Sequence, residues 1–466
     1  MRGASAPTTV TRGRLGANYW KLFTASTVTN LGDGLMTVAV VWLASSLTRD
    51  ASLIALVGLA SRLPWLLFSL PAGAITDRYD RRVLVAWMDV ARLGAVAAFT
   101  VVILINQDGL PTPGQLTAGA DPAASAQLLL ALLCLTALLI GFAEVVRDNA
   151  AQTLMPSIVA KTHLERANGR LWGAETTMNQ FVGPPLGGAL VAVALAAPFF
   201  INAGLLAIGA ALVFALAGTF TPKGRTTTGR IAWRTEIGEG FRWLWHHRLL
   251  RTLALLLGAM NLLSSLAFVI LVLFAQEILG LFEGWRFGLA LTGTATGAVI
   301  GSLLADRISR RLTPGRSLFV SMVGMGLGFL TVALVPSAVV FWLAGLGTGL
   351  MIVLWNVITV SLRQRIIPDH LLGRVNSVYR FFGWGTISLG TAAGGFLVTA
   401  AEPWLGRDWA LRLPFLIAGA LHLALLGYAL PRINTARIEA ATAAAEAAGA
   451  AEGAETGATG AAPARR

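Results

Sequence analysis

The chain has 466 residues, 55% of them hydrophobic and only 13% charged, with a mean hydropathy of +0.69 and a formal net charge of +13. Soluble globular domains carry about 25% charged residues, so this balance excludes an ordinary soluble protein and points to a chain solvated by lipid. The single cysteine, Cys134, excludes a disulfide framework and a thiolate metal site. No metal or cofactor is expected.

After a basic segment over residues 1–18, twelve apolar stretches of membrane-spanning length follow. They run over about 19–47, 52–75, 83–105, 127–150, 169–196, 198–219, 251–279, 286–305, 316–336, 338–362, 375–400 and 411–430. The first is too long for a cleaved signal peptide and carries Asn30 and Asp33 where an apolar core would stand. Basic residues alternate between connections. They crowd 77–82, 161–170, 220–250, 306–316, 363–374 and the stretch after 430, and are sparse on the other side (Arg49, Arg286, Arg407, Arg412). Positive connections stay in the cytoplasm, so both termini are expected inside a cell membrane. The net charge then records orientation, and no nucleic-acid partner is implied.

Between spans six and seven, residues 234–253 place Phe241, Leu244, Trp245 and Leu249 at helical spacing among Arg242, His246, His247 and Arg248. This pattern predicts an interfacial helix joining two halves. The end, 432–466, is Ala/Gly/Glu-rich with no apolar face, and is expected to be a disordered cytoplasmic tail.

Two echoes divide the chain. "DRYDRR" at 77–82 returns as "DRISRR" at 306–311, and an Arg-x-Asn start at Arg166 and Arg374 leads in each case to a glycine pair, Gly187–Gly188 and Gly394–Gly395. Residues 19–219 and 251–431 therefore read as two copies of a six-helix unit, a transporter architecture with the substrate site between the copies.

Here the residues resemble a known family. "GAITDRYDRR" matches the loop motif G-x-x-x-D-R-x-G-R-R of the major facilitator superfamily at Gly73, Asp77, Arg78, Arg81 and Arg82, and departs from it at Asp80. "GPPLGG" at 183–188 resembles the fifth-helix motif of drug/proton antiporters. With "LERANG" at 164–169, it looks like the branch of enterobactin-type exporters and twelve-helix drug efflux pumps. The resemblance covers residues 18–432. It implies an all-α integral membrane protein of twelve helices in two pseudo-symmetric bundles, acting as a monomer by alternating access. Its partners would be a small organic molecule, protons and the lipid bilayer. Proton-coupled uptake remains an alternative, and so does a non-transporting receptor or membrane-embedded enzyme. No phosphate-binding lysine motif, metal-ligand spacing or nucleophile elbow supports an enzyme or an ATP-driven pump.

In the family the first charged block touches helix eleven. That implies a latch from Asp77 to Arg374 or Arg380 and, by pseudo-symmetry, from Asp306 to Arg166 or Arg170, with Arg307, Arg310 and Arg311 beside it. The alternative is that these charges serve only orientation. Gly183, Pro184, Pro185, Gly187 and Gly188 suit either a bend or a close packing face.

Ionisable side chains within apolar spans are functional candidates. Asp33 and Arg62 lie at similar depth and are expected to pair, with Gly32 and Gly34 leaving room around the carboxylate. Glu144, Arg147 and Asp148 share a helical face. With Glu175 and Arg380 they would form a cluster between helices four, five and eleven. Asp33, Glu144 and Glu175 are the proton-coupling candidates, because a carboxylate or histidine is what exchanges protons at accessible pH. Asn30, Asn261, Phe268, Trp355 and Asn356 are cavity candidates, each also readable as helix packing, and His422 reads as a helix contact.

Overall fold

In lipid the readiest partner for a backbone N–H is the carbonyl one turn back, so long apolar runs become helices. The computed structural model describes residues 15–76, 79–160, 163–220, 233–445 and 447, and every strand-length segment among them is helix or connection. The first half comprises α1 (Ala17–Leu47), α2 (Ala51–Thr76), α3 (Arg81–Asn106), the short α4 (Pro113–Thr117), α5 (Ala126–Ile158), α6 (Leu164–Thr176), α7 (Gly183–Val193) and α8 (Ala197–Phe214). The second comprises α9 (Trp233–His246), α10 (Arg248–Phe268), α11 (Leu271–Leu273), α12 (Gly284–Leu312), α13 (Pro314–Leu334), α14 (Ala338–Ile366) and α15 (Asp369–Ala429). Ten helices among the described residues are long and apolar enough to cross a membrane.

Two places explain how spans continue or end. α6 and α7 are joined by a π-helical turn, Thr177–Val182. Pro184 and Pro185 have no N–H for the carbonyls of Gln180 and Phe181, so the helix widens there rather than stopping. α15 is broken at Gly406, whose φ of 72° suits glycine. Both ends of α15 lie beside α9 and α10, so the break is a reversal.

The start of α1 and the end of α15 lie at one end of the molecule, here the terminal end. There Asn18 exchanges two hydrogen bonds with Ala217, at 2.8 and 3.0 Å. Each half has its own core at this end: Tyr19, Leu22, Val85, Leu154 and Val213 in the first, Leu250, Met322, Leu354, Val375 and Tyr379 in the second. At the far end one core serves both halves, with Trp42, Phe99 and Phe199 continuous with Phe274, Phe287 and Phe415.

Two helix pairs carry the junction. α2 runs along α15, with Gly395 against Ala51 and Ala55, Gly58 against Thr391, and Trp65 stacked on Trp384 at 5.2 Å. α7 lies between α1 and α12: Gly183 meets Gly34, Gly187 meets Leu35, Gly188 meets Gly284, and the Pro184 carbonyl meets Gly288. Thus the 183–188 stretch is a close packing face, preceded by the π turn that its prolines demand.

The linker helix α9 packs on α15 and α10 and buries Leu244, so it belongs to the second half. Phe241 and Trp245 remain exposed and stacked at 5.3 Å. The expectation of a disordered tail from 432 fails for its first part, since residues 435–445 form a further helix, α16. Asn434 caps it by accepting from the Arg437 N–H at 2.9 Å, and Ile433 and Ile438 are buried in the second-half core. Ile438, Ala441 and Ala445 at i, i+3 and i+7 supply the apolar face that the alanine-rich composition hides, with Ile433 anchoring the chain just before the helix.

A Cβ on Gly188 would collide with the Gly284 backbone oxygen, whereas one on Gly94 would meet nothing within 4 Å. Gly188→Ala is therefore expected to lower the melting midpoint in detergent by about 3 °C or more, with Gly94→Ala unchanged or slightly higher. Equal midpoints for the two variants would contradict the close approach of α7 and α12.

Candidate functional site

Within the first half, α1, α3 and α5 bring a chain of charges together, roughly two to four and a half turns from the terminal end of each helix. Its centre is Asp89, whose side chain has no exposed surface. Its Oδ1 accepts from Arg147 Nε at 2.9 Å and lies 3.5 Å from Arg92 Nη1. Arg92 reaches on to pair with Asp33. Arg147 continues the other way, donating from Nη1 to Asp148 at 3.1 Å and from Nη2 to the Thr29 hydroxyl at 3.0 Å. The order is Asp33–Arg92–Asp89–Arg147–Asp148. The three inner side chains are buried, while Asp33 and Asp148 retain 25% and 33% of their side-chain exposure.

This geometry corrects two expectations. Asp33 pairs with Arg92, and Arg62 instead stands near Glu144 on an exposed face of α2. The cluster forms between α1, α3 and α5, not between helices four, five and eleven; the Arg380 side chain lies outside the described residues. Glu144 is within electrostatic range of Asp33 and Asp148, and Glu175 faces Ser26 with Arg147 and Asp148 nearby. Gly32 and Gly34 leave no room at Asp33: a Cβ on either would strike Asn202 or the Asn179 and Gly183 backbone. Their role is to admit α8 and α7 against α1.

Asp89 and Arg92 were not among the sequence candidates. A signal was present, since an acid and a base three residues apart in an apolar span share a helical face.

At the far end a second polar cluster bridges the halves. Arg49, in the connection after α1, pairs with Glu277 and donates to Gln276 at 2.6 Å. Gln276 donates back to Ser45 at 3.0 Å. Arg407, from the reversal in α15, donates to both oxygens of Glu277 at 2.8 and 2.9 Å, to Glu402 at 2.9 Å and to the Arg49 carbonyl at 2.8 Å. Asp50 accepts from Ser52 at 2.8 Å and from the Thr399 hydroxyl at 3.0 Å. Burial pushes the Asp50 carboxyl up, but the donors from Ser52, Thr399 and Leu53 outweigh it and hold the group below its ordinary value. A cavity of about 500 Å³ lies against this cluster.

The terminal end differs. Asp306 pairs with Arg310 on its own helix, and both are mostly exposed, so the second latch to Arg166 or Arg170 is not made. Arg166, Arg170, Arg307 and Arg311 are exposed. With separate cores at this end, Asp306 finds its helical neighbour before anything on α6. For the first latch, Asp77 and Arg78 lie outside the described residues, and Gly73 falls within α2. Arg374 pairs with Glu239 of α9. Arg81 donates to the Thr153 carbonyl at 3.0 Å and Arg82 to the Leu216 carbonyl at 2.7 Å, tying α3 to the ends of α5 and α8. Asp80, where the family motif has glycine, caps α3 by accepting from the Arg82 and Val83 amides and also accepts from Phe220 N–H at 2.9 Å.

The cavity candidates divide. Asn261 donates to the Gly383 carbonyl at 2.9 Å, an interhelical bond, and Asn30 bonds Ser26 on its own helix. Trp355 is buried in the second-half core, so it is packing rather than lining. Phe268 and Asn356 are exposed. His422 is buried, with Nδ1 at 2.7 Å from the Ala418 carbonyl and its ring against Phe329.

Removing one member of a buried ion pair strands its partner at a cost of about 3–5 kcal/mol, while an exposed i,i+4 pair is worth about 0.5 kcal/mol or less. Asp89→Ala is therefore expected to cut the yield of folded protein sharply, and Asp306→Asn to leave it near wild type. Size-exclusion profiles and melting curves compare the two; an Asp89→Ala protein as stable as Asp306→Asn would contradict the buried network.

Comparison with known proteins follows this geometry. The family model described as Major Facilitator Superfamily matches residues 22–390. A multidrug efflux pump, Tap, of Mycolicibacterium fortuitum is 27% identical over 411 residues, covering 86% of this chain and 93% of the pump. An uncharacterised transporter of the same superfamily from Bacillus subtilis, YfiS, is 26% identical over 417 residues, covering 86% and 89%. Among solved structures, a variant of the nucleoside transporter NupG superposes with a TM-score of 0.69 at 14% identity, covering 90% of this chain and all of that one. A bacterial homologue of the iron transporter ferroportin in its inward-facing state gives 0.65 at 19% identity, covering 87% and 98%. These likenesses, with the all-helical two-half fold, make the chain a multi-pass membrane transporter belonging to the Major Facilitator Superfamily.

Proposed function

We propose that the protein exports a small organic molecule across the cell membrane in exchange for protons. The observation carrying the reading is the charge count of the network: three carboxylates, Asp33, Asp89 and Asp148, meet two guanidiniums, Arg92 and Arg147. Glu144 and Glu175 lie beside them, with Arg62. A layer at membrane depth with more carboxylates than guanidiniums carries excess negative charge that protonation reduces. Asp33 and Asp148, partly exposed at the two ends of the network, are the members a proton or substrate can reach, with Asp89 buried between them. The exchange is assigned to Asp33, which lies at greater depth from the terminal end. Identity of 27% to pumps that export drugs supports the outward direction.

The reading includes twelve spans, counting α6 with α7 as one and α15 as two, and termini in the cytoplasm. Charge supports that orientation. The far-end arginines Arg49, Arg286, Arg407 and Arg412 each pair with a carboxylate, so the unneutralised basic residues lie at the terminal end, as the positive-inside rule requires. A shared core and the Arg49–Glu277–Arg407 cluster at the far end then correspond to a state closed to the outside. The latch of Asp77 to helix eleven remains part of the proposal as the contact that would close the inner side.

Asp33→Asn in proteoliposomes with an imposed pH gradient is expected to lose uphill transport while keeping a stable fold. Wild-type uphill rates in that variant would pass the role to Glu144 or Glu175. Abolition of the gradient by a protonophore, read in inverted vesicles, separates export from uptake and both from a non-transporting receptor.

Glu277→Gln is expected to open the far end. Losing charge-assisted bonds worth about 1.5–3 kcal/mol shifts a two-state ratio by tenfold or more. Spin labels at Leu53→Cys and Trp404→Cys, in a Cys134→Ser background, report the distance across the halves. An unchanged distribution in Glu277→Gln would remove this cluster from gating. Asp50 works in the same sense: its contribution to closure is present above the ordinary carboxylate range and is lost as pH falls through its lowered value.

A further inference from the structure

At the terminal end of the second half, a cavity of about 600 Å³ opens between the first turn of α10, the last turn of α15 and α16. Four arginines line it: Arg248 and Arg251 from α10, Arg432 after α15, and Arg437 from α16. None of the four is paired with a carboxylate among the described residues. Uncompensated guanidiniums around one concave space repel one another, so the arrangement calls for an anion from outside the chain.

Two of the four are held ready. Arg251 donates to the Trp245 carbonyl at 3.0 Å and lies over the Trp245 ring at 5.6 Å. Arg432 donates to the Tyr428 carbonyl at 3.0 Å and lies over the Tyr428 ring at 4.1 Å. A guanidinium has five N–H donors, so each keeps several for a ligand. His247 caps α10 by accepting from the Leu250 N–H at 3.3 Å. Burial pushes its imidazole below the ordinary value, which keeps it neutral and leaves the positive charge to the arginines.

The surroundings name the source of the anion. Beside the cavity, Phe241 and Trp245 are exposed and stacked, as aromatic rings are where helices leave the bilayer. Leu249, Pro431 and Ala441 add apolar wall to the basic lining. A soluble anion needs no apolar wall; a phospholipid brings a phosphate and acyl chains together. We propose that this cavity binds the phosphate headgroup of an anionic phospholipid, held by Arg248, Arg251, Arg432 and Arg437. The site lies outside the charge network of α1, α3 and α5 and does not depend on its proposed role. Through α16 and α10 it would anchor the second half to the leaflet on the terminal side while the first half moves.

The test uses the full chain, purified in a non-ionic detergent and stripped of co-purified lipid. It is titrated with dioleoyl phosphatidylglycerol, dioleoyl phosphatidylcholine and inorganic phosphate, and adducts are read by native mass spectrometry. The expected result is binding of phosphatidylglycerol at least about tenfold tighter than phosphatidylcholine, reduced about tenfold or more in Arg248→Gln/Arg437→Gln. Equal retention of both lipids, or unchanged affinity in the double variant, would overturn the proposal. Inorganic phosphate binding as tightly as the lipid would overturn the lipid source and make the site one for a soluble phosphate. Because the double variant could misfold, a photoactivatable phosphatidylglycerol is also crosslinked to the wild-type chain. Adducts within residues 247–252 or 428–441 support the site, and adducts confined elsewhere refute it.

Discussion

A carboxylate with no exposed surface, Asp89, sits between two arginines, and the first half is organised around it. Burying an ion costs several kcal/mol, which is recovered only when partners stand close and well aligned. Arg147 on α5 meets that condition at 2.9 Å, Arg92 on α3 adds a looser contact at 3.5 Å, and Thr29 on α1 ties in a third helix by accepting from Arg147. Three helices are thereby held together. The outer members, Asp33 and Asp148, inherit fixed positions while keeping contact with solvent. A network built this way is enclosed at its centre and open to solvent at its edges.

The join between the halves is made of different material. Along α7–α12 and α2–α15 it depends on glycines that bring backbones together. At the far end it ends in polar contacts, with Arg49 and Asp50 from one half and Glu277, Arg407 and Thr399 from the other. Close glycine contacts give dispersion energy without interlocking side chains, and the polar groups can exchange protein partners for water. Such a junction can open without unfolding either half. The separate cores at the terminal end fit the same division, since each half keeps its interior when the two move apart.

Much of this was legible in the sequence. The apolar spans, the duplicated charged blocks and the depth of Asp33, Glu144, Arg147, Asp148 and Glu175 all follow from composition and the rise per residue. Pairing was harder to read. Depth assigns a height but not an azimuth around the bundle, so Arg62 on α2 was matched to Asp33 whereas the partner is Arg92 on α3. Pseudo-symmetry also misled at Asp306, which pairs with Arg310 one turn along its own helix. In α16 an alanine-rich composition masked the face of Ile438, Ala441 and Ala445, which docks on the second-half core beside Ile433. Arg49, Glu277 and Arg407 lie 228 and 130 residues apart, and no local pattern joins them.

The proposal turns on Asp33 being the carboxylate that exchanges a proton. Infrared difference spectra of the protein carrying isotopically labelled aspartate, recorded while pH is stepped across the accessible range, test it most directly. The account predicts a protonated-aspartate carbonyl band that titrates in the wild type and is missing from Asp33→Asn. A titrating band of undiminished size in Asp33→Asn would contradict it.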